Sequence, residues 1–411
     1  MIPSPTRRWL LFALVVTAGI LNYVDRQIIA VLKPLIEVDM GWSDRDYGTL
    51  ASLFQFSAAV AFIFTGWIVD RLGVKWANPI GVAAWSIAAM AHGWARSMIQ
   101  FALCRVALGA TEAMGTPTQI KTIATIFPPN QRSTGYGLGN AASNMGAIVT
   151  PLMIPLVAAA WGWRGAFVAA GILGFVWAAA WLLVTRGLDL APPPPEACSP
   201  ADPTPAYGAV IRERRTWAIA IAKALSDQTW WLLLFWMPDF FHRTFGLSVA
   251  ELGPPLAVVY TCAAAGSLAA GAISTRLLDR GYGVNAVRKG SMLVCGLLVL
   301  PVPLALYTSD YWVAVAFLGL TLAAHQGFST NMFALIADIV PQAKVGSVTS
   351  FGALIGNLAG MNILFVAGVL LANGYGYLPL FLVASVSYLL GLAWIQLLLP
   401  RLERVEDAAR T

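Results

Sequence analysis

The sequence predicts an all-α integral membrane protein: twelve transmembrane helices in two pseudo-symmetric six-helix bundles. Three observations carry this. Of 411 residues, 58% are hydrophobic and only 11% charged, with a mean hydropathy of +0.70, whereas soluble domains carry about a quarter charged residues. Long apolar stretches bounded by charge, Gly or Pro recur along the whole chain. Lys and Arg are distributed unevenly between the connections. Water cannot solvate a surface so poor in charge, which excludes a soluble enzyme or nucleic-acid binder despite the net charge of +6. The cysteines (Cys104, Cys198, Cys262, Cys295) show no metal spacing, and His92, His242 and His325 lie far apart in sequence. No metal and no cofactor are therefore expected.

The apolar segments fall at 9–32, 47–69, 77–95, 98–126, 134–160 and 164–185, then at 216–242, 252–278, 289–307, 311–339, 345–372 and 375–399. Roughly 20 apolar residues cross a bilayer as a helix, and isolated strands would leave backbone groups unsatisfied in lipid. Arg7 and Arg8 precede the first run, which continues to Leu32 without a small-residue cleavage site, so it reads as an uncleaved span. The expected organisation is a bundle over 1–186, a linker over 187–215 containing four consecutive prolines (Pro192 to Pro195), and a second bundle with a short tail over 216–411. With both termini in the cytoplasm, 17 Lys and Arg fall inside, and Lys33, Arg45, Arg96, Arg164 and Arg243 fall outside. That asymmetry sets the orientation. The basic balance is thus a topology signature, with the lipid bilayer rather than nucleic acid as partner.

Two matched halves suggest a secondary transporter, and one echo between them supports this. Gly66-Trp67-Ile68-Val69-Asp70-Arg71-Leu72-Gly73-Val74-Lys75 follows the second segment, and Gly271-Ala272-Ile273-Ser274-Thr275-Arg276 follows the eighth. Gly66 and Gly73 would permit close approach, and Asp70 would pair with a neighbouring helix and its bases beside Arg71 and Lys75. The first copy resembles the loop motif of the major facilitator superfamily, with Val74 at a position where that motif prefers a base. Thr275 replaces the acid in the second copy. The resemblance implies a conformational latch; the plainer alternative is an ordinary basic loop.

Charges at bilayer depth cost several kcal/mol, about 2.5–3.5 on insertion scales, and tend to mark pathways. The first segment contains Asp25 and Arg26, and the fourth contains Arg105 and Glu112. Arg105 and Glu112 are two turns apart on one face, while Asp25 and Arg26 point about 100° apart. Two cations and two carboxylates on two helices make a proton-titratable anion site; structural ion pairing between those helices is the alternative. Leu21-Asn22-Tyr23-Val24-Asp25-Arg26, and Arg105 through Ala113 with Pro117, resemble the anion:cation symporter family and its hexuronate branch. The resemblance implies that Arg26 holds a substrate carboxylate beside Tyr23. It further implies that Asp25 and Glu112 take up protons and that Arg105 modulates Glu112.

In the second half, Ser226-Asp227-Gln228-Thr229-Trp230-Trp231 and Ala324-His325-Gln326-Gly327-Phe328-Ser329-Thr330-Asn331 resemble the same branch. His325, Gln326 and Asn331 offer donors and acceptors, and Trp230 or Trp231 offers a flat face; sugars present matching hydroxyl edges and C–H faces. Gln55, Asn144 and Asn357 are polar at hydrocarbon depth, where such groups either meet substrate or hold helices together. Lys121 and Lys223 lie nearer the helix ends, where such chains snorkel; Lys121 follows Thr118-Gln119-Ile120 and is retained as a substrate contact. Relatives often carry Tyr in the middle of the second span, where this chain reads Phe54-Gln55-Phe56. The reading is a monomeric, proton-coupled importer of a small organic anion in a bacterial inner membrane, most simply a sugar acid. An aromatic or short-chain carboxylate is the alternative substrate, and a membrane-embedded enzyme the alternative class.

Overall fold

The computed structural model describes residues 5–128, 131–188, 190 and 210–402. The linker prolines, Cys198 and the C-terminal tail lie outside the described residues. The described chain is helical: α1 (Pro5–Val31), α2 (Lys33–Met40), α3 (Asp44–Ala91), α4 (Met98–Glu112), α5 (Gly115–Ile126), α6 (Arg132–Val184), α7 (Arg214–Phe245), α8 (Gly253–Asp279), α9 (Val284–Val299), α10 (Tyr311–Ile339), α11 (Gln342–Ala372) and α12 (Leu378–Leu398). Among the described residues, eight helical stretches are long and apolar enough to cross a membrane, so this is a multi-pass membrane protein.

Helix count and span count differ for physical reasons. α3 has 48 residues, about 72 Å at 1.5 Å per residue against a hydrocarbon core of about 30 Å. It breaks at Gly73, whose φ of 66° and ψ of 159° are left-handed and favour glycine. α6 breaks likewise at Gly162, with φ 69° and ψ 172°. The fourth apolar segment is split into α4 and α5 around Ala113 and Met114. Pro117 accounts for this: its ring conflicts with the Ala113 carbonyl and supplies no N–H. α7 carries Lys223, Asp227 and Asp239 and so falls short of the purely apolar helices.

Capping fixes several starts. Ser43 accepts from Asp46 N at 3.2 Å, while Asp46 Oδ2 accepts from Ser43 N at 2.9 Å, a reciprocal box opening α3. Ser97 accepts from Gln100 N to open α4, and Asp310 accepts from Trp312 N to open α10.

Contacts divide the chain into two compact units, 1–198 with 241–257, and 199–240 with 258–411. In the first, a ring cluster of Trp42, His92, Phe101, Trp163 and Phe167 packs edge-on and stacked. Beside it, the Arg164 guanidinium (2.5 Å) and then the Trp163 indole N–H (3.1 Å) donate to Asp39 Oδ2. They hold that carboxyl below the usual range, Arg164 contributing most. A depressed folded value stabilises the fold above the ordinary Asp pKa of about 3.9, and the contribution is lost as pH falls through the folded value. Both side chains are about half exposed, so screening keeps the effect small. Asp39→Asn is expected to lower thermal stability slightly at neutral pH, and thermal unfolding in acid should bring parent and variant together.

Candidate functional site

The charged residues of the first half meet in the N-terminal unit. A cavity of 160 Å³ is lined by Asn22, Tyr23 and Arg26 of α1, Trp85 of α3, and Gly115 and Gln119 of α5, among others. Arg26 directs Nε and one terminal nitrogen to Glu112 Oε2 at 3.3 and 3.1 Å. The same terminal nitrogen donates to Asn22 Oδ1 at 3.1 Å, one turn back along α1. Glu112 is the last residue of α4, placed there by the break before Pro117, and its side chain is fully buried. Arg26 keeps 15% of its side chain exposed on the cavity side of this pair.

Phe54 of α3 organises the two cations. Its ring centroid lies 5.4 Å from the Arg26 guanidinium and 5.6 Å from that of Arg105, within cation–π range. α4 approaches α3 this closely because residue 109 is glycine: a Cβ there would overlap the Phe54 carbonyl and Ser57 Oγ. Arg105 and Glu112 flank Gly109, so that contact sets their depth against Phe54. The phenylalanine at this position supplies a π face and no hydroxyl.

The remaining charges have unmet hydrogen-bonding capacity. Arg105 is fully buried, and Nε and both terminal nitrogens have no acceptor among the described residues. Asp25 Oδ1 and Glu112 Oε1 are buried without a donor among the described residues. Burying a charge without partners is costly, so this cluster stands ready to change its pairing. Glu112 is bonded to Arg26, while Arg105 reaches it through its field.

Other expected site residues are distributed as follows. Tyr23 lines the cavity with its ring 5.4 Å from the Arg26 guanidinium. Gln55 is buried on α3. The side chain of Asn144 lies outside the described residues. Lys121 is ion-paired with Asp70, so it joins the loop motif rather than the cavity wall. Gly73 turns that loop; Arg71 lies over the Trp67 ring at 4.8 Å, and Lys75 donates to the Leu188 carbonyl at 3.0 Å. Gly66 departs from expectation, because a Cβ there would meet nothing within 4 Å; no close approach in this structure requires it.

In the second unit, His325 is 4% exposed, stacks on Trp230 at 5.3 Å, and bonds through Nδ1 to Tyr388 Oη at 2.8 Å. Tyr388 in turn donates to the Ser226 carbonyl at 3.3 Å. Asn331 is bonded at both ends of its carboxamide: Nδ2 donates to Gly327 O at 3.0 Å, and Oδ1 accepts from Ser274 Oγ at 2.7 Å. Both residues join helices, the plainer role for polar groups in a bundle. Gln326 is half-buried on α10, and Asn357 donates to Ala353 O at 2.9 Å on α11. Trp231 packs against Gly360. Lys223 is paired with Asp227 Oδ2 at 2.8 Å.

Sequence reasoning passed over Trp85 and Gly115 in the cavity wall, and quoted Asn22 without a role. Asn22 Nδ2 and Trp85 Nε1 are buried donors without acceptors among the described residues. The spacing of Asn22 one turn before Arg26 was the available signal; Trp85 and Gly115 offered none. Further along the first unit, buried Lys33 binds Glu37 and Asp44 at 2.8 and 2.9 Å. Arg243 adds a bond to Asp44 Oδ2 at 2.8 Å, closing a four-membered charge network.

A breaking, two-unit helical membrane fold with an arginine–carboxylate pair beside a small polar cavity defines a secondary transporter rather than an enzyme. The chain belongs to the Major Facilitator Superfamily, whose family model matches residues 15–361. It is 27% identical over 420 residues to the hexuronate transporter of Escherichia coli, covering 98% of this chain and 96% of that one. It is 25% identical to a D-galactonate transporter of Escherichia coli, covering 97% of each. Among solved structures it is similar to an inward-facing, unoccupied bacterial homologue of the human lysosomal transporter Spinster, with a TM-score of 0.75 at 20% identity over 96% of both chains. The D-xylose–proton symporter aligns with a TM-score of 0.73 at 14% identity, over 93% of this chain and 96% of that one.

Proposed function

We propose that the protein is a proton-coupled importer of a sugar acid, with a hexuronate or an aldonate as the substrate class. The observation that carries this reading is Arg26, partly exposed at a polar cavity and held by a carboxylate, Glu112, that an incoming carboxylate can replace. A guanidinium fork matches a carboxylate bidentately, and the hydroxyl-bearing remainder of a sugar acid meets the donors of Asn22 and Trp85. The names of the similar transporters support the same class. The reading includes twelve spans, bundles over 1–186 and 216–411 joined by 187–215, cytoplasmic termini in an inner membrane, and a monomer working by alternating access.

Thermal-shift measurements on the purified protein with D-glucuronate, D-galacturonate, D-galactonate and benzoate test the class. Stabilisation by sugar acids and not by benzoate is expected, since a ligand that binds only the folded state raises stability by RT ln(1 + c/Kd) at free concentration c. A shift with benzoate alone overturns it in favour of the aromatic carboxylate reading.

Asp70, Arg71, Gly73 and Lys75 form the latch in this proposal, with Lys121 as the partner that Asp70 holds. Asp70→Asn is expected to shift the balance of inward- and outward-facing states and leave ligand affinity within a few-fold. Electron–electron spin distances across the cytoplasmic helix ends check this; unchanged distributions would remove the latch.

A further inference from the structure

In the second copy of the loop motif, Thr275 stands where the first has Asp70, and its hydroxyl donates to the Gly271 carbonyl at 3.0 Å. No acid there holds the bases that follow. Arg276 and Arg280, one turn apart, are exposed, and neither side chain has a partner among the described residues. The Arg280 N–H donates to the Arg276 carbonyl at 3.2 Å, so the helical path continues through it. Arg280 lies about 40° round that helix from Gly266, whereas Asp279 lies about 140° away on the far side.

An apolar groove of 330 Å³ begins beside these arginines. Its walls run from Leu277 to Gly266 on α8 and from Ala286 to Leu298 on α9, over a floor of Ala323 and Gly327 on α10, all within the second unit. The floor is tight. A Cβ at Gly266 would overlap the Ala323 backbone, and one at Gly327 would press on Cys295 Sγ at 3.0 Å and Ala270 Cβ at 3.1 Å. The walls meet at Ser274 and Ser291, whose hydroxyls are 3.3 Å apart. Around that contact the facing side chains of Ala269, Ala270, Ala286 and Gly290 are too short to fill the gap. Only 22% of the apolar stretch of α8 is buried, the lowest share of the eight membrane-length stretches among the described residues. Ile273 and Val294 on the walls are 52% and 56% exposed, so the groove opens on lipid.

We propose that this groove holds an acyl chain of an anionic phospholipid, with Arg276 and Arg280 on its phosphate. The proposal is independent of which substrate is carried. From Leu277 to Gly266 the wall is about 16 Å long at 1.5 Å per residue, one leaflet's share of a hydrocarbon core of about 30 Å. A gap in an apolar wall forfeits dispersion contacts, and a lipid chain lying along it restores them. A chain of that length, seated in the groove, brings its headgroup level with the arginine end. The guanidinium forks there match phosphate oxygens. Neighbouring bases are already engaged: Arg288 with Asp338 at 2.9 Å, and Lys289 with Gln396 at 2.7 Å and the Leu399 and Pro400 carbonyls. Two uncompensated cations at the mouth of an apolar groove select a headgroup of net negative charge over a zwitterionic one. In the proposed topology this end faces the cytoplasm, the side on which the leaflet surface is negative.

Native mass spectrometry of the full-length protein tests this, after delipidation in detergent and titration with phosphatidylglycerol or phosphatidylcholine of identical chains. Phosphatidylglycerol should bind about thirtyfold more tightly, the contribution of two guanidinium groups near a charged headgroup. Arg276→Gln combined with Arg280→Gln should erase that preference and leave phosphatidylcholine binding as it was. Ala269→Leu combined with Gly290→Leu should fill the groove and weaken both lipids by about tenfold or more. Ala269 is exposed, and a Cβ at Gly290 would meet nothing within 4 Å, so this variant should melt at the parental temperature. The arginine variant disturbs no packed contact and decides the headgroup by itself. Equal binding of the two lipids by the parent, or a preference that survives in the arginine variant, overturns the headgroup site. Parental lipid binding by the filled variant overturns the groove. A protein dimer lost in the filled variant, with no lipid retained by the parent, assigns this face to a second copy of the chain and overturns the lipid.

Discussion

Arg26→Ala is expected to abolish measurable binding of carboxylate substrates. Truncating one member of a buried, hydrogen-bonded charge pair costs about 2–5 kcal/mol, and the proposed substrate contact with Arg26 has that character. The loss is therefore on the order of thirtyfold to several thousandfold in affinity. The same substitution leaves Glu112, whose side chain is fully buried, without its 3.1 Å partner, which itself destabilises the fold by about 3–5 kcal/mol. Arg26→Ala combined with Glu112→Gln removes both charges and separates the two effects. The double variant should recover much of the thermal stability and none of the affinity. Arg26→Lys keeps the charge and loses the fork, so it should retain a fraction of binding. Isothermal titration with the best sugar acid reads all three, and near-parental affinity in the double variant removes Arg26 from the substrate site.

The apolar segments were legible in the sequence because lipid leaves the backbone few alternatives to a helix. Hydropathy locates the spans, and Gly73 and Gly162 mark two of the turns between them. The break after Glu112 was also written in the chain, as Pro117, and its consequence is functional: it ends α4 at the buried acid. Asp25, Arg26, Arg105 and Glu112 stood out because charge in hydrocarbon is costly wherever it points. Their pairing was not legible. Which carboxylate Arg26 meets depends on how closely α4 approaches α3, set by one glycine against the Phe54 carbonyl. The second half was harder to read for a related reason. α10 is apolar nearly all round, so no periodicity distinguishes a cavity-facing His325 or Asn331 from one bonded to a neighbouring helix. Lys223 and Asp227 carried a readable signal, an i,i+4 pair, and position near a helix end drew attention from it.

In the proposed function, proton coupling follows from what happens to Glu112 when substrate arrives. A monoanion entering against a negative-inside potential is opposed by about 2.3 kcal/mol per 100 mV, so concentrative uptake needs a compensating positive charge. Arg26 and Arg105 cannot supply it, since guanidinium does not release its proton in this setting. Glu112 can. In the structure Oε2 accepts twice from Arg26 while Oε1 is buried without a donor among the described residues. A substrate carboxylate that takes the Arg26 fork leaves Glu112 charged, buried and short of partners, and a proton relieves that cost. On this proposal substrate and proton favour each other's binding, and the linkage is reciprocal. Asp25, 2% exposed and with Oδ1 unpartnered among the described residues, offers a second place, which would make import electrogenic. Uptake into proteoliposomes should rise as external pH falls. Glu112→Gln should abolish accumulation driven by a pH gradient while substrate exchange survives, because a neutral amide releases Arg26 without needing the proton. Asp25→Asn should reduce the charge moved per substrate, read as a shift in reversal potential. If both neutral variants concentrate substrate as the parent does, the two acids only hold the arginines and the proton travels elsewhere.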